Sequence, residues 1–429
     1  MAGTSGGYRV RTGQPRLHVV LNVFRPDVAG GATVYTDLCF SLARAGFDVT
    51  VCAPVPFFPE WRDKSGRNGW QVWRYTEAGT SIERYGLFIP RNPNSLVQRL
   101  LFEGTFLLSL LRALPRMRRA DVILAFSPLA AGVAVAAIAR RLFRIPLMLN
   151  VQDITAEAAG SVGIARGRLS QRMLRGVERW LFNQADYWTT ISPVMVRHLE
   201  RLKRRGQPIE YVPNWVGESL AKEIMACRRE RIGVHPHVPI RLLYAGNIGR
   251  KQNLIALCDS LQASSLKFVF RICGSGAASA EMANWVTSRH DPRFSFEPIL
   301  VEAEFARALS WCDYYVITES PGVGGSFIPS KLVPALMAGA PILGVCDPES
   351  PLGEELRAAE PGLHITWDVV GTVGERLAGV SAESYARWTE NARRRSDAYD
   401  RRQLIGRMAA LLMTAHLDGG RNSRPHEHS

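Results

Sequence analysis

The chain has 429 residues, 46% of them hydrophobic and 21% charged, with a formal net charge of +14. This excludes a disordered or collagen-like chain, and the length suits two domains of ordinary size. The charge points to an anionic partner, whether a phosphorylated substrate, a phospholipid surface or nucleic acid.

Residues 1–16 lack the apolar stretch of a signal peptide and are expected to be flexible. LHVVLNV (17–23) reads as a strand, Ala32 to Ala45 as a helix ended by Gly46, and FDVTVCA (47–53) as a second strand. The Pro- and aromatic-rich stretch 54–70 reads as a surface loop, followed by the strand candidates WQVWRY and ERYGLFIP. SLVQRLLFEGTFLLSLLRALPRMRR (95–119) mixes Leu and Phe with five arginines and one acid. Such a helix can lie on an anionic bilayer or pack on a core. VILAFSPLAAGVAVAAIA (122–139) carries no charge over a length that nominates a membrane span. Ser127-Pro128 divides it instead into a buried strand and a helix. PLMLNVQD and DYWTTIS follow as strands, with helices near 129–143 and 169–184, and YVPNW (211–215) ends the first half.

Residues 216–239 are polar, end in HPHVPI and read as a linker. A second series opens at RLLYAGN (241–247) and continues through FVFRICGSG, RFSFEP, DYYVITES, PILGV and LHITW. Strand–helix alternation implies parallel, doubly wound sheets, so the chain reads as two tandem α/β domains over 17–215 and 240–381. Ala382 to His416 reads as a long Arg-rich helical stretch, and 417–429 as a disordered tail. The seven cysteines are widely spaced with no C-x-x-C, which argues against a disulfide framework or a zinc site.

In open α/β sheets, ligands sit beyond the carboxyl ends of the strands. Gly30 and Gly31 follow the first strand and precede a helix. Gly246, Asn247 and Gly249 precede Arg250 and Lys251. Gly274 opens the CGSGAAS turn. Glu319 leads into PGVGGSFIPSKL, which holds Gly324, Gly325, Ser326, Pro329, Ser330 and Lys331. Glycine lets the backbone approach an anion, and a helix start offers free N–H groups. CGSGAAS falls short of a full dinucleotide fingerprint, and no P-loop is present. No D-x-D occurs, so a diphosphate held by Lys, Arg and helix dipoles is expected, without metal.

The stretches FRPDVAGGATVYTDLCFSLARAGFDVTVCA, NVQDITAEA, ISPVMVRHL, YVPNW, YAGNIGRKQNL, GVGGSFIPSKL and ALMAGAPIL resemble retaining glycosyltransferases of the GT-B fold. Within family four they resemble the WcaI/WbuB-like branch of bacterial exopolysaccharide and O-antigen synthesis. The resemblance implies two Rossmann-like domains facing across a cleft, the first for the acceptor and the second for a nucleotide sugar. The last helix would cross back to the first domain. By that resemblance Gly30 and Gly31 face the donor diphosphate and the transferred sugar. Arg250 and Lys251, the latter preferred, lie where a basic residue meets the β-phosphate. Ser330 and Lys331 meet the diphosphate or ribose, and Asp153 faces the acceptor.

The chain departs from the wider family in having Ser326 and Pro334 where two glutamates eight positions apart are common. Pro334 is expected to kink its helix or to delay its start. The implied activity is retaining transfer of a hexosyl or N-acetylhexosaminyl group from a UDP-sugar to a lipid-linked or polysaccharide-repeat acceptor. No cofactor, metal or nucleic acid is implied beyond the donor. The expected location is cytoplasmic, peripheral on the inner face of the plasma membrane. The rivals are a GT-B epimerase or phosphorylase, and a non-catalytic basic protein that binds glycan or nucleic acid.

Overall fold

The computed structural model describes residues 13–27, 31–67, 70–92, 95–153, 168–204, 206–228, 238–322 and 329–422. The first sheet has eight strands in the order β3-β4-β2-β1-β5-β6-β7-β8. They are β1 (Arg16–Val20), β2 (Asp48–Pro54), β3 (Trp73–Glu77), β4 (Thr80–Tyr85), β5 (Val122–Ser127), β6 (Leu147–Val151), β7 (Tyr187–Thr190) and β8 (Ile209–Tyr211). Its pairs are parallel apart from the β3–β4 hairpin. The helices of this half are α1 (Ala32–Arg44), α2 (Leu96–Leu110), α3 (Leu114–Met117), α4 (Ala130–Phe143), α5 (Arg168–Phe182) and α6 (Pro193–Leu202). Central strands carry uninterrupted apolar runs because helices cover both faces. All six residues of β5 are buried.

The second sheet is parallel, in the order β11-β10-β9-β12-β13-β14. Its strands are β9 (Ile240–Asn247), β10 (Phe268–Ser275), β11 (Phe294–Glu297), β12 (Tyr314–Thr318), β13 (Ile342–Val345) and β14 (Gly362–Ile365). The remaining helices are α7 (Glu218–Cys227), α8 (Leu254–Gln262), α9 (Ser279–Arg289), α10 (Glu302–Trp311), α11 (Leu332–Met337), α12 (Pro351–Ala359), α13 (Val373–Ala378), α14 (Ala382–Ser396) and α15 (Arg401–Asn422).

Several expectations change. The polar linker contains α7, and Val216 and Ile224 join the core of the second domain. A few apolar residues suffice to dock a helix whose other side is solvated. The long C-terminal helix is two, broken by a 3-10 turn at Asp397–Tyr399 and by extended Asp400. The second piece runs to Asn422, so the segment expected as tail from 417 is helical to that point. Its Leu404, Ile405, Met408, Leu412 and Ala415 lie in the core of the first domain. The helix after Lys331 has six residues, with Pro334 in its first turn. There a missing N–H costs nothing, since first-turn amides have no intrahelical acceptor, so the proline neither kinks nor delays the helix. The apolar stretch 122–139 does divide into β5 and α4. Among the described residues no helix is long and apolar enough to cross a membrane.

Both chain crossings between the domains are tied to one carboxylate. Asp37, on α1, accepts from Trp215 Nε1 at 2.8 Å and from Arg401 Nε and Nη2 at 2.7 and 2.8 Å. On another side, Arg197 of α6 meets Glu354 of α12 at 2.6 Å. Both helices start beyond the carboxyl ends of their preceding strands, so this ion pair brings those ends of the two sheets to a common interface.

Candidate active site

In the second domain β9 and β10 run in register, with Gly246 beside Gly274 and Asn247 beside Ser275. A Cβ on Gly274 would lie 1.9 Å from the Gly246 carbonyl oxygen, and one on Gly276 would lie 2.4 Å from the Ile248 carbonyl oxygen. These two glycines therefore serve backbone–backbone approach, and the Ile248 amide donates to Ser275 O at 2.9 Å across it. Gly246 has φ +135°, outside the range of ordinary side chains.

The β9 turn is joined to the end of β12. Ser320 donates from its hydroxyl to the Arg250 carbonyl at 2.9 Å and from its amide to the Lys251 carbonyl at 2.7 Å. Arg250 and Lys251 thus form a short 3-10 turn against the residue that follows Glu319. Gly249 donates to Gln252 Oε1 at 2.9 Å, which closes that turn.

Lys331 reaches into the same corner. Its Nζ lies 3.8 Å from the centre of the Tyr244 ring and would lie 3.5 Å from a Cβ on Gly246. The Nζ is buried and has no hydrogen-bond partner among the described residues. Burial pushes its pKa down to about 7, against the pull of Glu319. Glu319 is buried, and its carboxylate oxygens have no hydrogen-bond partner of good geometry among the described residues. Burial pushes its pKa up to about 8, against the neighbouring Ser350 hydroxyl and Lys331 charge. Its backbone is fixed, the carbonyl accepting from Trp367 Nε1 at 2.6 Å. Pro329 accepts from the Leu332 amide at 3.0 Å, and Ser330 is exposed at the head of α11.

On the first domain Gly31 precedes α1, and a Cβ there would lie 2.1 Å from the Tyr35 ring. Tyr35 is buried against Phe126, with ring centroids 4.5 Å apart. Burial and then the Asp153 charge push its hydroxyl up, which places Asp153 near that ring. Asp153 follows β6, and its carbonyl accepts from Ser127 Oγ at 3.1 Å. Beneath it Gln152 and Asn214 exchange two amide hydrogen bonds, of 3.2 and 2.8 Å. Gln152 also donates to Asn150, and Asn150 donates to Thr189.

The structure therefore joins Gly246, Arg250, Lys251, Glu319 and Lys331 in one corner, and Gly31 and Asp153 around Tyr35 in another. Gly30, Gly324, Gly325 and Ser326 lie outside the described residues. Tyr244, Tyr35, Gln152 and Asn214 were missed from sequence. Asn150 in the apolar strand PLMLNV was the one visible signal of the buried amide network, because a polar residue there needs partners. Among the described residues no cluster of three or more His, Cys, Asp or Glu side chains could hold a metal ion.

Two parallel α/β domains with glycine turns at the carboxyl ends of their strands define the GT-B architecture. Residues 29–215 match the glycosyl transferase 4-like domain family. The chain is homologous to WcaI of Escherichia coli (strain K12), named for colanic acid biosynthesis, with 25% identity over 356 residues, 80% of this chain and 86% of that protein. Its fold is similar to that of sucrose-phosphate synthase from Thermosynechococcus elongatus, with TM-score 0.70, 15% identity, 94% of this chain and 100% of that one. It is also similar to Anabaena HepE in complex with UDP-glucose, with TM-score 0.65, 14% identity, 93% of this chain and 99% of that one.

Proposed function

We propose that this chain moves a hexosyl or N-acetylhexosaminyl group from a UDP-sugar to a lipid-linked or polysaccharide-repeat acceptor, with retention, in bacterial exopolysaccharide or O-antigen synthesis. The observation that carries the reading is Lys331, whose buried ammonium beside the Gly246 turn has no hydrogen-bond partner among the described residues. A buried cation without a partner is costly, and a diphosphate would supply the missing acceptors. The UDP-glucose complex of HepE and the colanic acid role in the name of WcaI support the donor and pathway assignments.

In transfer, the bond from the anomeric carbon to the diphosphate breaks and negative charge grows on the leaving group. Lys331, Lys251 and Arg250 stabilise that charge without a metal ion. The acceptor oxygen bonds to the same carbon on the same face, and its proton passes to the departing phosphate oxygen. Asp153 orients the acceptor hydroxyl near Tyr35. The enzyme works on the cytoplasmic side of the plasma membrane, held there through 95–119.

The test is a thermal-shift panel of UDP-, GDP- and dTDP-sugars on the wild-type chain and on Lys331→Met, Lys251→Ala and Ser330→Ala. A donor at 100 times its Kd adds about 2.7 kcal/mol of stability. A UDP-sugar shift that Lys331→Met abolishes supports the reading. Equal shifts in all three variants, or none in the wild type, would overturn it, and an inverted anomeric product would overturn retention alone.

A further inference from the structure

The solvent side of the first domain carries more apolar surface than donor chemistry needs. On α2, Val97, Leu101 and Leu108 are exposed along one stripe, with Leu96 and Leu100 beside it. The stripe does not end there. Ile138 and Leu142 are exposed one turn apart on α4, and Met173, Val177 and Trp180 are exposed at helical spacing on α5. These helices are neighbours, with α2 packed on α4 and α4 on α5. The opposite sides of α2 and α4 face the core through Phe102, Phe106, Val133 and Ala136.

The charges on this face are one-sided. Arg112, Arg141, Arg144, Arg172 and Arg175 are exposed on or beside these helices. The only acids within α2, α4 and α5 are Glu103 and Glu178, and neither is exposed. Glu103 turns inward and accepts from the Ala131 amide at 2.9 Å, while Glu178 is buried. An apolar patch bordered by arginine, with no exposed carboxylate on its three helices, fits a surface that is apolar inside and anionic at its rim.

We propose that α2, α4 and α5 together form one docking face for an anionic lipid bilayer. This deepens the membrane-bound reading above, which rested on 95–119 alone, and is independent of the donor chemistry. Helices α2 and α4 start at the carboxyl edge of the sheet, and Asp153 lies on that edge. A bilayer on this face would border the acceptor side of the cleft, where a lipid-linked sugar would arrive.

The test is co-sedimentation of the full chain with phosphatidylcholine vesicles, with and without 30 mole per cent phosphatidylglycerol as a probe at roughly physiological salt. Two paired variants are compared, Leu100→Glu with Leu101→Glu on α2 and Met173→Glu with Val177→Glu on α5. All four side chains are exposed, so a thermal melt should be unchanged, and so should any donor-induced shift. At least tenfold weaker binding to the anionic vesicles in both variants is expected. Wild-type binding by the α5 variant would overturn the three-helix face and leave α2 alone. Equal binding to neutral vesicles would overturn the role of the arginines. No vesicle binding, with self-association that the same variants abolish, would assign the face to a second copy of the chain. Loss of donor response with intact vesicle binding would strike only the transferase reading.

Discussion

Lys331 Nζ stands 3.8 Å over the Tyr244 ring with no hydrogen-bond partner among the described residues. The ring's negative face offsets part of the cost of burying the ammonium, but it supplies no acceptor. Replacing Lys331 by Met keeps the stem and removes the charge. Transfer from UDP-glucose should fall about 10²–10³-fold, the scale for losing one preorganised donor to a developing anion. The melting temperature without donor should stay level or rise, because an unsatisfied charge has gone. Turnover assays beside thermal melts separate the two effects.

Donor affinity should depend on pH through the same ammonium. Its pKa is held down to about 7 by burial, so the free protein loses the proton above that point. A bound diphosphate favours the charged form, and binding then requires proton uptake. Affinity should fall as pH rises from 7 towards 9, by at most about tenfold per unit, since one proton is taken up. Titration calorimetry in buffers of different ionisation heat would count that proton. A flat profile in the wild type would exclude the mechanism.

Glu319 makes stability pH-dependent in the opposite sense to a salt-bridged carboxylate. Burial raises its pKa from 4.5 to about 8. Between these values the folded chain keeps a proton that the unfolded chain has lost. Its contribution is present below pH 4.5 and is lost as pH rises through about 8. Glu319→Gln stays neutral throughout, so urea denaturation of this variant should show a flatter profile over that window.

Asp37 should behave as a structural keystone. Asp37→Ala leaves Trp215 Nε1 without its acceptor and takes the bidentate carboxylate from Arg401, which keeps only Ser41 Oγ and the more distant Glu218, so both domain crossings are loosened. The expected loss is about 2–3 kcal/mol, reduced from a fully buried pair because Arg401 is partly solvated. Urea unfolding gives the magnitude, and limited proteolysis should show early cleavage near residues 397–400, ahead of α15.

Two glycines should respond in opposite directions to alanine. Gly274→Ala drives a Cβ to 1.9 Å from the Gly246 carbonyl oxygen and should cost about 1–3 kcal/mol, with donor response weakened. Gly104 has open space within α2, and Gly104→Ala should stabilise by about 0.8–1 kcal/mol. Thermal melts of both variants with and without UDP-glucose test the contrast.

Much of the fold was legible because the sheets are parallel. Runs such as VILAF and PILGV need no partner information to read as strands, since strands buried on both faces are apolar throughout. The breaks were harder. Residues 216–239 look like a linker because α7 buries little beyond Ile224. The division at Asp400 depends on Arg401 reaching Asp37, a contact that local pattern does not announce. At the site the turns were legible through glycine, but the role of each glycine was not. Gly274 reads like a phosphate contact, and its missing side chain makes room for Gly246.

The amino-acid order by itself determined two α/β units with small, flexible turns where strands end, since burial and backbone freedom are properties each residue carries locally. Only the tertiary arrangement decided that the Lys331 Nζ is buried over Tyr244 while Lys251 sits in a turn pinned by Ser320. The state of a charge depends on the solvent removed and the dipoles brought near it. Those come from strands and helices distant in the chain, so no stretch of sequence contains them.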